Sequence, residues 1–197
     1  MYTAVLIRRH INTIINDKPF SIRDFLNYGS RNAVDQVFYR LVKSRQIIRI
    51  TRGLFIKVGS PIPSVIEVAT VKAAAFGKKL FTHGIEAAEQ LKLNPTETNK
   101  IIFACDGPSS SFRFGETRIY FVQTIPRKWQ LGNETVGLAV RALWHIGKAM
   151  CSPLLVGTAI SSFNRNDRQQ LRQSRKIMPA WLSNYFVSMR NIEKYSY

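Results

Sequence analysis

Carboxylates are scarce in this chain. Its 197 residues hold 12 Asp and Glu against 29 Lys and Arg, a net charge of +17. The seven acids of residues 61–150 are scattered, and no two stand out as a general acid and its base. Cysteine is nearly absent as well. Cys105 and Cys151 each sit in apolar surroundings, which predicts two reduced, buried thiols rather than a disulfide. The three histidines, His10, His83 and His145, have no cysteine or carboxylate at the spacing of a zinc site or a catalytic triad, so no metal and no cofactor is expected. His83 precedes Gly84 at a helix start and reads as a capping or packing residue, and His145 in "ALWHIG" reads as a satisfied core histidine. The Gly- and Ser-rich stretch "CDGPSSS" (105–111) lacks the Gly-Lys-Ser/Thr ending of a P-loop and precedes a hairpin strand, so it reads as a surface turn. Together these absences argue against an enzyme. Long apolar runs are missing too, so no membrane-spanning helix is expected. The opening "MYTAVLIRRHINTIINDK" has neither the apolar core nor the cleavage site of a signal peptide, which suits a cytoplasmic protein.

What is abundant is positive charge, and it is concentrated at the front. Residues 1–60 carry 11 basic and 3 acidic side chains, a net of +8, whereas residues 61–150 net +4 and residues 151–197 net +5. A chain of this charge is attracted to polyanions, nucleic acid above all. With 45% hydrophobic residues it can bury a core. The stretch "GSPIP" (59–63) interrupts periodic structure and divides the chain into a domain at 1–60 and a second at 61–197.

The first domain reads as helix, short helix, helix, hairpin. Residues 2–16 place Val5, Leu6, Arg9 and Ile15 in a helical pattern that "NDKP" ends. In "FSIRDFL", Ser21 is an N-cap with Asp24 three residues on, and Phe20 precedes it as a staple. Gly29 suits a chain reversal, and Ser30 caps the next helix. That helix, in "GSRNAVDQVFYRLVK", has one apolar face of Ala33, Val34, Val37, Phe38, Leu41 and Val42. Asn32, Gln36, Tyr39 and Lys43 fall on the opposite side, with Arg31 near the amino end and Arg40 on a flank. Ile48 and Ile50 then alternate with Arg49 and Thr51 as a strand with one buried face, Arg52-Gly53 makes the turn, and "LFIKV" returns with Lys57 pointing outward. This order predicts a winged helix-turn-helix. Its DNA-facing candidates are Ser30, Arg31, Asn32, Gln36, Tyr39, Arg40 and Lys43 on the helix and Arg49, Arg52 and Lys57 on the wing.

The second domain reads as a mixed α+β unit with a small antiparallel sheet. "PSVIEVATVKAAAFG" and "HGIEAAEQLKL" are helical, "NKIIFACDG" is a buried strand, and "FRFGETRIYFVQTIP" is a hairpin turning at Gly115. Asn133 is expected to cap a helix over "ETVGLAVRALWHIGK", and two further helices are split at Pro179. The aromatics Tyr120, Phe121, Trp129, Trp144, Trp181, Tyr185 and Phe186 read as core. The basic run "RQQLRQSRK" (168–176) is open between a solvated face and a backbone-phosphate surface.

Three stretches, "FSIRDFLNYGSRNAVDQVFYRLVKSRQIIRITRGLF", "TVGLAVRALWHIGK" and "MPAWLSNYF", in this order resemble the AbiEi-like antitoxins of type IV abortive-infection toxin–antitoxin systems. The resemblance implies an N-terminal winged helix that binds operator DNA with inverted repeats and represses its own operon. It further implies a C-terminal part that counters a nucleotidyltransferase-like toxin without a stable complex, and no catalysis. It places Asn32, Gln36, Tyr39, Lys43 and Arg52 on the DNA-facing surface. The alternative is a protein-interaction module that binds a partner through the C-terminal domain without reading DNA sequence.

Overall fold

The computed structural model describes residues 2–15, 17–93 and 100–194, with side chains to residue 188. Asn16 and Asn99, expected at the ends of a helix and a strand, lie outside the described residues. The chain is a mixed α+β protein, an N-terminal winged helix-turn-helix followed by a sheet-containing α+β part. It divides into two compact units, Met1–Lys79 with Ser111–Ile119, and Leu80–Ser110 with Tyr120–Tyr197.

In the first unit, α1 (Tyr2–Thr13) is followed by β1 (Phe20–Ser21), a 3-10 helix (Ile22–Tyr28) and α2 (Arg31–Lys43). The capping box is present at the 3-10 helix. The Ser21 hydroxyl accepts from Arg23 N at 3.1 Å, and the Asp24 carboxylate accepts from Ser21 N at 3.1 Å. Ser30 caps α2 by accepting from Ala33 N at 3.3 Å. Val34, Val37, Phe38 and Leu41 are buried, so one face of α2 is core as the spacing predicts. Their neighbours are aromatic. The Phe38 ring lies 5.1 Å from Phe25 and 4.9 Å from Phe55, and Phe20 closes the group. The helix ends on Arg45 at φ 54°, where Gln46 N donates to Leu41 O and Arg45 N to Val42 O. That pair of bonds is a Schellman-type stop made with arginine where glycine is usual.

The buried face of α1 differs from expectation. Ile7 and Ile11 are its core residues, while Val5 and Ile15 are exposed. The segment is apolar on several sides, and the stripe of Ala4, Ile7, Ile11 and Ile14 wins because those four meet the aromatic cluster. The wing differs by one residue. β2 (Ile47–Thr51) buries Ile47, whereas Ile48 is 46% exposed and Ile50 half-buried. A register irregularity between Arg49 and Thr51 breaks the alternation. β3 (Leu54–Lys57) is the middle strand of the antiparallel order β1-β3-β2, so Leu54, Phe55 and Ile56 are all buried. α3 (Val65–Ala74), capped by Ser64 and Glu67, completes the unit.

The remaining strands are β4 (Leu80–Thr82), β5 (Ile101–Cys105), β6 (Ser110–Phe114) and β7 (Thr117–Gln123), in the sheet order β4-β5-β7-β6; Ser111–Ile119 count with the first unit, and β4, β5 and the end of β7 with the second. The β6–β7 turn uses Gly115 at φ 56°. The helices are α4 (Gly84–Gln90), α5 (Pro126–Trp129), α6 (Thr135–Ile146), α7 (Pro153–Ile160), α8 (Arg165–Ser174) and α9 (Ala180–Lys194). Val140, Leu143, Val156, Met178 and Leu182 are the centre of its core, and Cys105 and Cys151 are both free and buried. No helix among the described residues is long and apolar enough to cross a membrane.

Two side chains here play other parts than expected. Asn133 does not cap α6. Its Oδ1 accepts from Thr82 N at 3.1 Å and from Arg141 Nη2 at 3.2 Å, and its Nδ2 donates to Leu80 O at 3.2 Å. An amide has both donor and acceptor, so it bridges a strand edge and a guanidinium that a cap would leave apart. His145 is exposed rather than core, its ring 5.9 Å from that of His83.

His83 does cap α4, its Nδ1 accepting from Ile85 N at 3.3 Å. Burial first, then His145 and Lys128, lower its pKa from 6.5 to about 4, so the ring is neutral at pH 7. The unfolded histidine takes a proton below pH 6.5 and the folded one resists until about pH 4. Its contribution is therefore complete above pH 6.5 and is lost as pH falls through 4. After solvent screening the loss between pH 7 and 4 is expected to be about 1–2 kcal/mol. Urea midpoints at the two pH values check this, with His83→Asn, which keeps an acceptor and does not titrate, showing a smaller drop than the wild type.

Candidate nucleic-acid interface

The burial of Val34, Val37, Phe38 and Leu41 fixes which side of α2 faces water. On that side Asn32, Gln36, Tyr39 and Lys43 are all exposed, at i, i+4, i+7 and i+11. Tyr39 is the telling member, because a tyrosine 64% exposed on a well-packed helix contributes little to folding. The stripe offers two amides, a phenol and an ammonium. Asn and Gln can each make two bonds to an adenine edge, and a lysine can meet guanine or phosphate.

The flanking residues divide. Arg40, Arg49 and Arg52 are exposed. Arg31 is exposed too, but its Nε donates to the Asp35 carboxylate at 2.9 Å, one turn along the same helix. That pair holds the guanidinium at the amino end of α2 and offsets part of its charge. Ser30 spends its hydroxyl on the N-cap bond, which leaves the first backbone N–H groups of α2 as the donors at that end.

Lys57 does not point outward. Its ammonium donates to Asn12 O at 3.2 Å and Ile14 O at 2.5 Å, at the carboxyl end of α1. A cation there satisfies carbonyls that the helix leaves unpaired. Lys57→Met is accordingly expected to lower unfolding stability by about 1 kcal/mol. DNA affinity in the same variant should stay within twofold of wild type in an anisotropy titration.

Two cations that no sequence pattern singles out stand beside the wing. Arg23, on the 3-10 helix, and Lys72, on α3, lie close enough to Arg49 and Arg52 that all three arginines push the Lys72 amine below its ordinary range, after burial itself. Lys72 Nζ donates to Arg52 O. No spacing rule links residues 23, 52 and 72, so only the packing of α3 reveals them.

No group of three or more His, Cys, Asp or Glu among the described residues could hold a metal ion. The stretch 105–111 runs from the end of β5 through a turn at 106–109 into β6. In it Cys105 Sγ donates to Gly107 O at 3.1 Å, and Ser109 Oγ accepts from Gln123 N at 2.9 Å. α8 shows a buried Leu171 and exposed Arg165, Arg168, Arg172 and Lys176 just beyond its end.

Residues 7–170 match the model of a family described as a family of unknown function (DUF6088). No curated protein matches the chain.

Proposed function

Because the chain belongs to the family of unknown function DUF6088, we propose from its own surface that it is a sequence-reading DNA-binding protein. α2 enters the major groove with Asn32, Gln36 and Tyr39 toward the base edges, Lys43 meets the backbone at the far end of the stripe, and Arg49 and Arg52 grip phosphate from the wing. The observation that carries this reading is the exposed polar stripe on a helix whose other face is fully committed to the core. The net charge of +17 supports it, since a polyanion is the partner such a surface attracts.

The resemblance of the quoted stretches to AbiEi-like antitoxins supports the biological role. In this reading the protein works in the cytoplasm as a non-enzymatic repressor of its own operon and as the antitoxin to a nucleotidyltransferase-like toxin. It acts on that toxin functionally rather than through a stable complex. Hydroxyl-radical footprinting of the upstream DNA tests the repressor role. Protection of two half-sites related by inverted symmetry is expected. Uniform protection along the fragment would overturn sequence reading, and co-purification with a neighbouring gene product without DNA affinity would favour the interaction-module alternative.

A further inference from the structure

Four cations from three separate elements meet beside the wing. Arg49 and Arg52 come from the hairpin, Arg23 from the 3-10 helix and Lys72 from α3. Hydrogen bonds hold the elements in place. Ile22 N donates to Gly53 O at 3.0 Å, which ties the residue before Arg23 to the one after Arg52. Lys72 Nζ donates to Arg52 O, and Thr51 Oγ1 donates to Arg113 O at 2.7 Å. The Arg23 guanidinium lies over Phe76, its central carbon 4.1 Å from the ring centroid. Lys72 Nζ is 5.6 Å from the rings of both Phe76 and Phe112.

Neutralising charge is in short supply here. The first unit contains five carboxylates against sixteen Lys and Arg. Asp24 is held by Ser21 N, Asp35 by Arg31 and Glu67 by Ser64 N at 2.8 Å. After burial, the charges that lower the Lys72 pKa are those of Arg52, Arg23 and Arg49. Like charges packed this closely repel, and an anion between them relieves the repulsion. The donor set suits phosphate. A guanidinium seated on a ring keeps its N–H edge free to face outward, and an ammonium that spends one proton on a carbonyl retains two.

We propose that Arg23, Arg49, Arg52 and Lys72, with Phe76 beneath Arg23, form a phosphate-binding cradle that holds a backbone phosphodiester of duplex DNA. This rests on the DNA-binding reading above and adds Arg23 and Lys72 to it as binding residues. Because both lie off the α2 stripe, their contribution is to affinity on any sequence and not to the choice of sequence.

The test uses the full chain and the double variant Arg23→Gln/Lys72→Gln, with binding to upstream and random duplexes followed across a salt series. The cradle predicts a log K against log salt slope shallower by about 0.9 for each phosphate that the variant no longer neutralises, with the preference for upstream DNA unchanged. In a second arm, inorganic pyrophosphate is added to the wild type. It should shift the Arg23 and Lys72 side-chain nitrogen resonances at millimolar concentration, and the variant should show no matching response at Arg49 and Arg52. An unchanged slope in the double variant, while Lys43→Gln still reduces it, overturns the cradle and leaves the α2 reading standing. If the wild type binds no duplex, the DNA reading fails. A pyrophosphate response would then mark a free-phosphate site in the same cradle, and its absence would overturn the cradle as well. Arg23→Gln alone, at an exposed side chain, carries the same test if the double variant does not fold.

Discussion

Asn32→Ala and Gln36→Ala are each expected to leave the protein folded and bound to DNA, while lowering its preference for upstream sequence over a random duplex about 5- to 150-fold. That range corresponds to about 1–3 kcal/mol for one good two-bond contact to a base edge. Both side chains are exposed, and the core face of α2 lies on the other side, so folding does not depend on them. Lys43→Gln with Arg52→Gln is expected to behave differently. Affinity should fall on every sequence, and the salt slope should flatten by about 0.9 for each phosphate left without its cation. Anisotropy titrations at several salt concentrations separate the two behaviours. Equal losses on both duplexes in all of these variants would mean that α2 is a charged surface and not a reading head.

The second large effect concerns how α6 is fastened. A Cβ placed on Gly137 would fall on the backbone oxygen of Leu131 and come within 2.7 Å of Gly132 O. One turn further along, Arg141 is only 3% exposed. Its guanidinium donates to Gly132 O, to Asn133 Oδ1 at 3.2 Å and to Lys128 O at 3.5 Å, and burial lowers its pKa to about 10. Its Nε has no partner among the described residues. A glycine that admits a backbone and an arginine that bonds it thus clamp residues 128–133 against α6, and Asn133 extends the clamp to β4. Gly137→Ala is expected to destabilise the protein by about 2–3 kcal/mol, because backbone rather than a mobile side chain must move. Arg141→Ala should cost about as much, since it leaves the part-buried carbonyls of Lys128 and Gly132 without their donor. The double variant should fall short of the sum, because both changes release one segment. Thermal unfolding of the three variants checks this, with Leu154→Ala, at an exposed position, as a control near wild type.

Local rules found much of the fold. The caps at Ser21 and Ser30 and the core face of α2 depend on neighbours within four residues, and each is where the spacing puts it. So is the Gly115 turn. What local rules missed has a common cause. Ile7 and Ile11, rather than Val5 and Ile15, face the core because of where the Phe20–Phe25–Phe38–Phe55 cluster sits. In β2 it is Ile47 that is buried and Ile48 that is exposed, and the strand's register then slips between Arg49 and Thr51, which no local pattern announces. Asn133 has a helix start within reach, yet a strand about 50 residues earlier offers it a donor and an acceptor at once. The helix at 126–129 is too short, and that at 153–160 too evenly apolar, to show a helical period, although Pro126 and Pro153 stand at first-turn positions that favour them. The candidate interface follows the same division. The stripe of α2 is periodic and therefore readable, whereas Arg23 and Lys72 join Arg52 only through tertiary packing. The diversion of Lys57 to the end of α1 is equally long-range.

The proposed function stands or falls with DNA reading by α2 and the wing. The most direct measurement is the dissociation constant of the purified protein for its own upstream duplex and for a scrambled duplex of equal length, at low and at physiological salt. Binding to both is expected at low salt, with a steep loss as salt rises and a preference for the upstream duplex of at least about 1,000-fold at physiological salt. No binding to either duplex at low salt, or binding that never distinguishes them, would contradict it.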